Sequence, residues 1–138
     1  FVGCLDVRTG EVVFANGGHN LPRRIAADGA ATTLPAKTNM VVGALGGRTF
    51  ARETLALQPG EALVLYTDGI TEAFDAGDRL YGEERLDRCL GALPATASAA
   101  EIVRAVVADV AAFAGTREQS DDITMLVLRR AAAGSKIS

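Results

Sequence analysis

The stretch from Gln58 to Phe74 constrains the fold more than any other, because an apolar run within it ends abruptly in an aspartate. A Pro-Gly turn signal precedes the run from Ala62 to Tyr66, which is too short for a stable helix but typical of a strand buried on both faces. The sequence therefore predicts a central strand with Asp68 at its end. Gly69 then lets the backbone turn sharply without a Cβ penalty, which places Asp68 on a loop rim.

A second acidic stretch, Ser120 to Asp122, precedes a β-like run from Ile123 to Leu128. If the two strands are antiparallel neighbours, the end of the first lies beside the start of the second, so Asp68 approaches Asp121 and Asp122. Three clustered carboxylates repel one another unless a cation neutralises them, and oxygen ligands suit a hard ion such as magnesium or manganese. The pattern indicates a metal site. From spacing alone, two polar turns fit equally well.

The composition is that of one globular domain. The 138 residues are 49% hydrophobic and 22% charged, with a net charge of -3, which argues against a disordered chain. No basic surface for nucleic acid is expected, and no apolar run is long enough to cross a bilayer. Cys4 and Cys89 lack metal or disulfide spacing, so we expect reduced thiols and a cytoplasmic location.

The rest of the chain predicts several strands followed by two helices. Strands are expected over residues 1–7, 11–16, 23–27 and 49–57, the last as a half-exposed partner strand that leads into the central strand. Between residues 30 and 48 only Met40 to Val42 is strongly β-like. Strands followed by helices are typical of an α+β layered sandwich.

Residues 70–74 predict a helical turn, followed by an exposed loop at 75–78. An amphipathic helix is expected over 83–93, and a second begins at the capping box of Ser98 and Glu101 and ends at Gly115. We expect one domain over 1–130 and a flexible tail over 131–138.

A compact polar loop, Asn16 to Pro22, contains the single histidine, His19. The glycines at 17 and 18 permit close backbone approach. A lone histidine argues against a zinc site, and both a general acid and a loop hydrogen bond fit it; from the residues alone we favour the loop bond.

Four motifs occur in the same order as in a known family: Asn16 to Asn20, Leu57 to Ala73, Leu80 to Leu86 and Ser120 to Thr124. Together they resemble the SpoIIE-like branch of the bacterial metal-dependent, type 2C (PPM) serine/threonine phosphatases. The resemblance implies an α-β-β-α sandwich of mainly antiparallel sheets, of which this chain would be the C-terminal portion.

The resemblance also implies a metal-activated water as the nucleophile, with no covalent enzyme intermediate. Two manganese or magnesium ions would be held mostly by aspartates and water. Asp68 would bridge or bind the ions, Asp121 would bind one of them, and Asp122 would be either an adjacent ligand or a hydrogen-bond acceptor beside the ligands. Gly69 would be the structural partner of Asp68. Gly18 and His19 would belong to a possible active-site loop.

By the same resemblance, the substrate is a phosphorylated regulatory protein such as an anti-sigma-factor antagonist, and an upstream sensory or receiver domain is expected. The family's earlier Asp-x-x-Gly-x-Gly segment, which supplies another metal ligand, does not occur in these 138 residues. We therefore expect the chain to be part of a longer protein, and little turnover from these residues alone. The alternative is a non-catalytic interaction module on the same fold.

Overall fold

The computed structural model describes residues 1–37, 40–119 and 121–132. In these residues the strands are β1 (Val2–Leu5), β2 (Glu11–Ala15), β3 (Arg23–Ile25), β4 (Ala31–Thr33), β5 (Glu53–Ala56), β6 (Ala62–Tyr66) and β7 (Met125–Arg129). The helices are α1 (Asp68–Thr71), α2 (Gly82–Gly91) and α3 (Ala99–Ala114). None of the described helices is long and apolar enough to cross a membrane.

The strands form two antiparallel sheets. One has the order β1-β2-β5 and the other the order β4-β3-β6-β7. One apolar core lies between the sheets, and a second lies between the four-stranded sheet and the helices. The predicted α+β layered sandwich is therefore confirmed.

Strand β6 is the centre of the fold, as the sequence predicts. Ala62, Val64 and Tyr66 belong to the core under the helices, whereas Leu63 belongs to the core between the sheets. Successive side chains of a strand point to opposite faces, so a strand between two cores must be apolar throughout. Val64 is completely buried.

The predicted strand over residues 49–57 exists, but the expectation that it leads into β6 as its partner is wrong. It is β5, and it pairs with β2 in the opposite sheet. The turn at Pro59 and Gly60, where Gly60 has a φ of 86°, carries the chain from one sheet to the other. Leu55 and Leu57 face the core between the sheets, and their alternation fits a strand in either sheet.

The segment between β3 and β5 also differs from the sequence pattern. Met40 to Val42 is not a strand: it forms a turn whose Val42 N–H donates to the Gly17 carbonyl over 3.2 Å. Strand β4 was not predicted, because its Ala-Thr-Thr sequence carries little β signal and it is held by pairing with β3.

The helices agree with their sequence signals. Ser98 caps α3: its Oγ accepts from the Glu101 N–H, and the Glu101 side chain accepts from the Ser98 N–H. The predicted stop at Gly115 is confirmed, with a φ of 60°.

Asp75, expected in an exposed loop, is instead buried because it accepts bonds from Gly77 and Arg79. Residues 133–138, most of the expected tail, lie outside the described residues.

Candidate metal centre

Strands β6 and β7 bring the two acidic stretches together. They are antiparallel neighbours, with Tyr66 at the end of β6 opposite Met125 at the start of β7. The segments containing Asp68 and Asp122 therefore leave the sheet at the same end of the two strands. This juxtaposition, predicted from the sequence, is confirmed.

Asp68 is exposed and is the first residue of α1. The helical turn expected to begin at Ile70 thus begins two residues earlier. The Ile70 N–H donates to the Thr67 carbonyl over 3.1 Å, and the Glu72 N–H donates to the Asp68 carbonyl over 2.7 Å. These bonds fix the backbone of Asp68 directly after the strand.

Thr67 makes three hydrogen bonds to the segment before β7. Its N–H donates to the Thr124 carbonyl over 3.0 Å. Its Oγ1 donates to the Asp122 carbonyl over 2.8 Å and accepts from the Thr124 N–H over 2.9 Å. Thr67 lies within the motif from Leu57 to Ala73, but the sequence did not predict these bonds, because a threonine at a strand end carries no pattern that reveals a distant partner.

Gly69 permits a close contact between the same two segments. A Cβ atom on Gly69 would lie 2.6 Å from the Asp122 carbonyl oxygen and 3.1 Å from that of Asp121. The sequence-based reason for this glycine, a sharp turn, needs correction, since Gly69 lies in α1 and has no positive φ. Close backbone approach is the structural reason.

Asp121 and Asp122 are both exposed. Asp121 Oδ1 accepts from the Asp122 N–H over 2.7 Å, and Gln119 Nε2 donates to the Asp121 carbonyl over 2.6 Å. Within residues 1–37, 40–119 and 121–132, no group of three or more His, Cys, Asp or Glu side chains is arranged to hold a metal. The backbones of the acidic segments meet, but their carboxylates do not form a three-ligand cluster.

The loop that contains His19 leads into β3, on the other side of β6. Since β3 is antiparallel to β6, with Arg23 opposite Val64, the start of β3 lies at the edge where β6 ends. The buried Asn16 side chain fixes the loop by accepting from the His19 N–H and donating to the His19 carbonyl, each over 2.8 Å. His19 Nδ1 lies 2.8 Å from the Asn20 carbonyl, which supports the loop-bonding interpretation.

A buried arginine supports the end of β6 from the helical side. The Arg23 side chain is fully buried: its Nε donates to Asp87 over 2.6 Å, and its Nη2 lies 3.1 Å from a Glu83 carboxylate oxygen, so it ties β3 to α2. The guanidinium also lies 5.6 Å from the ring centre of Tyr66. Burial raises the pKa of Tyr66 to about 12, so this side chain is neutral at physiological pH.

The side chains at this end of the sheet have the chemistry that a hard divalent cation requires. Asp68, Asp121 and Asp122 offer carboxylate oxygens, which magnesium and manganese prefer. The three side chains are exposed and can turn toward an ion without breaking core packing. Gly18 and His19 lie in the loop before β3 and supply no carboxylate.

The layered arrangement of two antiparallel sheets and flanking helices is the fold of PP2C phosphatase domains. The structure is similar to the manganese-presoaked phosphatase domain of the cell fate determinant SpoIIE from Bacillus subtilis, with a TM-score of 0.72 and 17% identity, covering 99% of this chain and 58% of that one. It is similar to the SiaA PP2C domain of Pseudomonas aeruginosa, with a TM-score of 0.72 and 24% identity, covering 88% and 47% of the two chains.

The sequence profile of the family described as Stage II sporulation protein E (SpoIIE) matches residues 1–131, so the chain belongs to the SpoIIE family of phosphatase domains. The chain is 31% identical over 131 residues to protein IcfG of Synechocystis sp. and covers 94% of its own length but 20% of that protein. It thus spans about a fifth of this relative and about half of the similar phosphatase domains.

Proposed function

We propose that this chain carries metal ligands of a phosphatase domain that hydrolyses phosphoserine or phosphothreonine in a regulatory protein. The observation that supports it most is the pairing of β6 with β7, which sets Asp68 beside the segment of Asp121 and Asp122. Membership of the SpoIIE family supports the phosphatase part of the proposal.

In this proposal Asp68, Asp121 and Asp122 bind manganese or magnesium, and two ions occupy the complete site. A bound ion lowers the pKa of its water and stabilises negative charge on phosphoryl oxygens. The contribution of the chain is to hold the carboxylates in register. The contacts of Thr67 and Gly69 with the Asp122 carbonyl do this without using the carboxylates themselves.

The substrate that we propose is a phosphorylated regulatory protein, such as an anti-sigma-factor antagonist, in the cytoplasm. This rests on the family resemblance, as does the proposed upstream sensory or receiver domain. Gly18 and His19 are proposed as part of the wall of the site, because their loop leads into the start of β3, which lies beside the end of β6 that precedes Asp68.

A non-catalytic interaction module is the second candidate, and one observation favours it. The described residues hold no preassembled cluster of three metal-binding side chains. The two candidates differ in what metal does to the chain.

Titration with manganese, followed by thermal melting, distinguishes them. Binding to the folded state alone stabilises the chain by about 1.4 kcal/mol at ten times the dissociation constant. We expect such a shift at millimolar manganese, and we expect metal-dependent release of phosphate from a phosphoserine protein by the protein as its gene encodes it. No shift and no phosphate release would favour the interaction module.

A further inference from the structure

The hydroxyl group of Thr67 links the two segments that carry the proposed metal ligands. It donates to the Asp122 carbonyl and accepts from the Thr124 N–H, over 2.8 and 2.9 Å. These partners are 55 and 57 residues away in the sequence. The two bonds therefore hold tertiary structure rather than a local turn.

Thr67 does not use its hydroxyl to cap the helix that follows it. It is the N-cap residue of α1, with φ and ψ of -86° and 160°, but its side chain makes no capping bond. A threonine at this position normally accepts from an N–H of the helix that follows. Here the hydroxyl is committed to the opposite strand segment instead.

The hydroxyl also replaces a backbone acceptor in the sheet. The Thr67 N–H donates to the Thr124 carbonyl, which continues the antiparallel ladder beyond the pair of Tyr66 and Met125. In a regular ladder the Thr124 N–H would donate back to the Thr67 carbonyl. That carbonyl instead accepts from Ile70, and Oγ1 takes the Thr124 bond. The chain can thus begin α1 at Asp68 while the neighbouring segment stays attached.

We infer that Thr67 is a positioning residue for the metal centre: its hydroxyl holds the segment of Asp121 and Asp122 in register with Asp68. The inference rests on the proposed function, since it requires this edge to bind a cation. In this inference Thr67 binds neither the cation nor the substrate and acts only through the backbone of the ligand segment. Thr67→Val removes the hydroxyl and keeps the branched shape, whereas Thr67→Ser keeps the hydroxyl.

Manganese titration by calorimetry tests this inference, with every variant held well below its melting temperature. We expect Thr67→Val to weaken binding by about tenfold or more, as loss of a group that orients a ligand does. Thr67→Ser should keep most of the affinity. Thr54→Val is the matched control, because Thr54 is exposed on β5 in the other sheet, and it should bind as the unmodified chain does. Unchanged affinity in Thr67→Val, or an equal loss in Thr67→Ser, would overturn the inference.

Amide exchange of the unmodified chain gives a second test that does not depend on the folding of Thr67→Val. The Thr124 N–H should exchange slowly, and more slowly still with magnesium, because the bond to Oγ1 holds the ligand segment. Exchange at the rate of an open loop with magnesium bound would overturn the inference. An unmodified chain that binds neither cation would overturn the proposed function and this inference together, whereas normal binding by Thr67→Val overturns the inference alone.

Discussion

Gly69 and Asp122 are in direct backbone contact: a Cβ atom on Gly69 would lie 2.6 Å from the Asp122 carbonyl oxygen. Real Cβ atoms do not approach an oxygen this closely, so any side chain at position 69 must push the two segments apart. This displacement would disturb the backbone where the segments that carry the proposed metal ligands leave the sheet.

Gly69→Ala should therefore destabilise the chain by about 1–3 kcal/mol, as overpacking does, and weaken manganese binding. Gly91→Ala is the matched control, because Gly91 also lies in a helix but a Cβ there would meet nothing within 4 Å. That change should be neutral or stabilising. Denaturation midpoints and metal titrations of both variants check this. If Gly69→Ala and Gly91→Ala have the same midpoint and the same manganese affinity, the contact between Gly69 and Asp122 does not hold the two segments in place.

Val64→Asp should unfold or aggregate the chain, because it places an unpaired charge in the completely buried middle of β6. The expected loss is several kcal/mol. Val2→Asp is the control, since Val2 is a strand residue whose side chain is exposed, and it should melt close to the unmodified chain. A cooperative melt of Val64→Asp near the parent temperature would contradict the burial of β6.

Ser98→Ala should cost about 1 kcal/mol of folding free energy, because it removes the side-chain half of the α3 capping box. Thr96→Ala, two residues earlier and exposed, should leave the urea midpoint unchanged. If both variants have the midpoint of the unmodified chain, the cap does not stabilise α3.

Asp109 should make the contact between α2 and α3 sensitive to acid. Hydrogen bonds from Arg85 hold the pKa of the Asp109 carboxyl below its usual range; partial burial opposes this and the Tyr81 hydroxyl adds to it. A lowered pKa stabilises the fold above the unfolded value of about 4, and this stabilisation is lost as pH falls through the folded pKa.

Asp109→Asn should cost about 1–3 kcal/mol at pH 7, and the difference from the unmodified chain should shrink below about pH 4. Urea midpoints at pH 7 and pH 3 measure it. A difference that stays constant over this range would show that the charge on Asp109 does not stabilise the fold.

The features predicted from the sequence are those with a strong local signal. The apolar run of β6 and the capping box of α3 each determine their own structure, and the two acidic stretches lie beside one another because their strands pair. The contacts of Thr67 with Asp122 were not predictable, since they join residues 55 apart and nothing near Thr67 in the sequence reveals the partner. Gly69 was identified as important for the wrong reason, because a glycine at a turn and a glycine at a backbone contact look the same in sequence.

The placement of β5 shows the same limit. Its alternation predicts a half-buried strand, but alternation does not specify which sheet the strand joins. The two leucines that face the core between the sheets would do so from either sheet. Strand order depends on the turn at Gly60 and on the pairing with β2.

Asp68 is proposed to hold a divalent cation at the end of β6, and Asp68→Asn isolates this role. The amide keeps the shape of the side chain but removes its charge. Asp28→Asn, an exposed aspartate in the turn between β3 and β4, is the matched control. Manganese binding to the unmodified chain and both variants is measured by calorimetry, and phosphate release from a phosphoserine protein is measured with the protein as its gene encodes it. We predict that Asp68→Asn loses both the binding and the release while Asp28→Asn keeps both. Full manganese affinity and full metal-dependent activity in Asp68→Asn would show that Asp68 does not hold the ion.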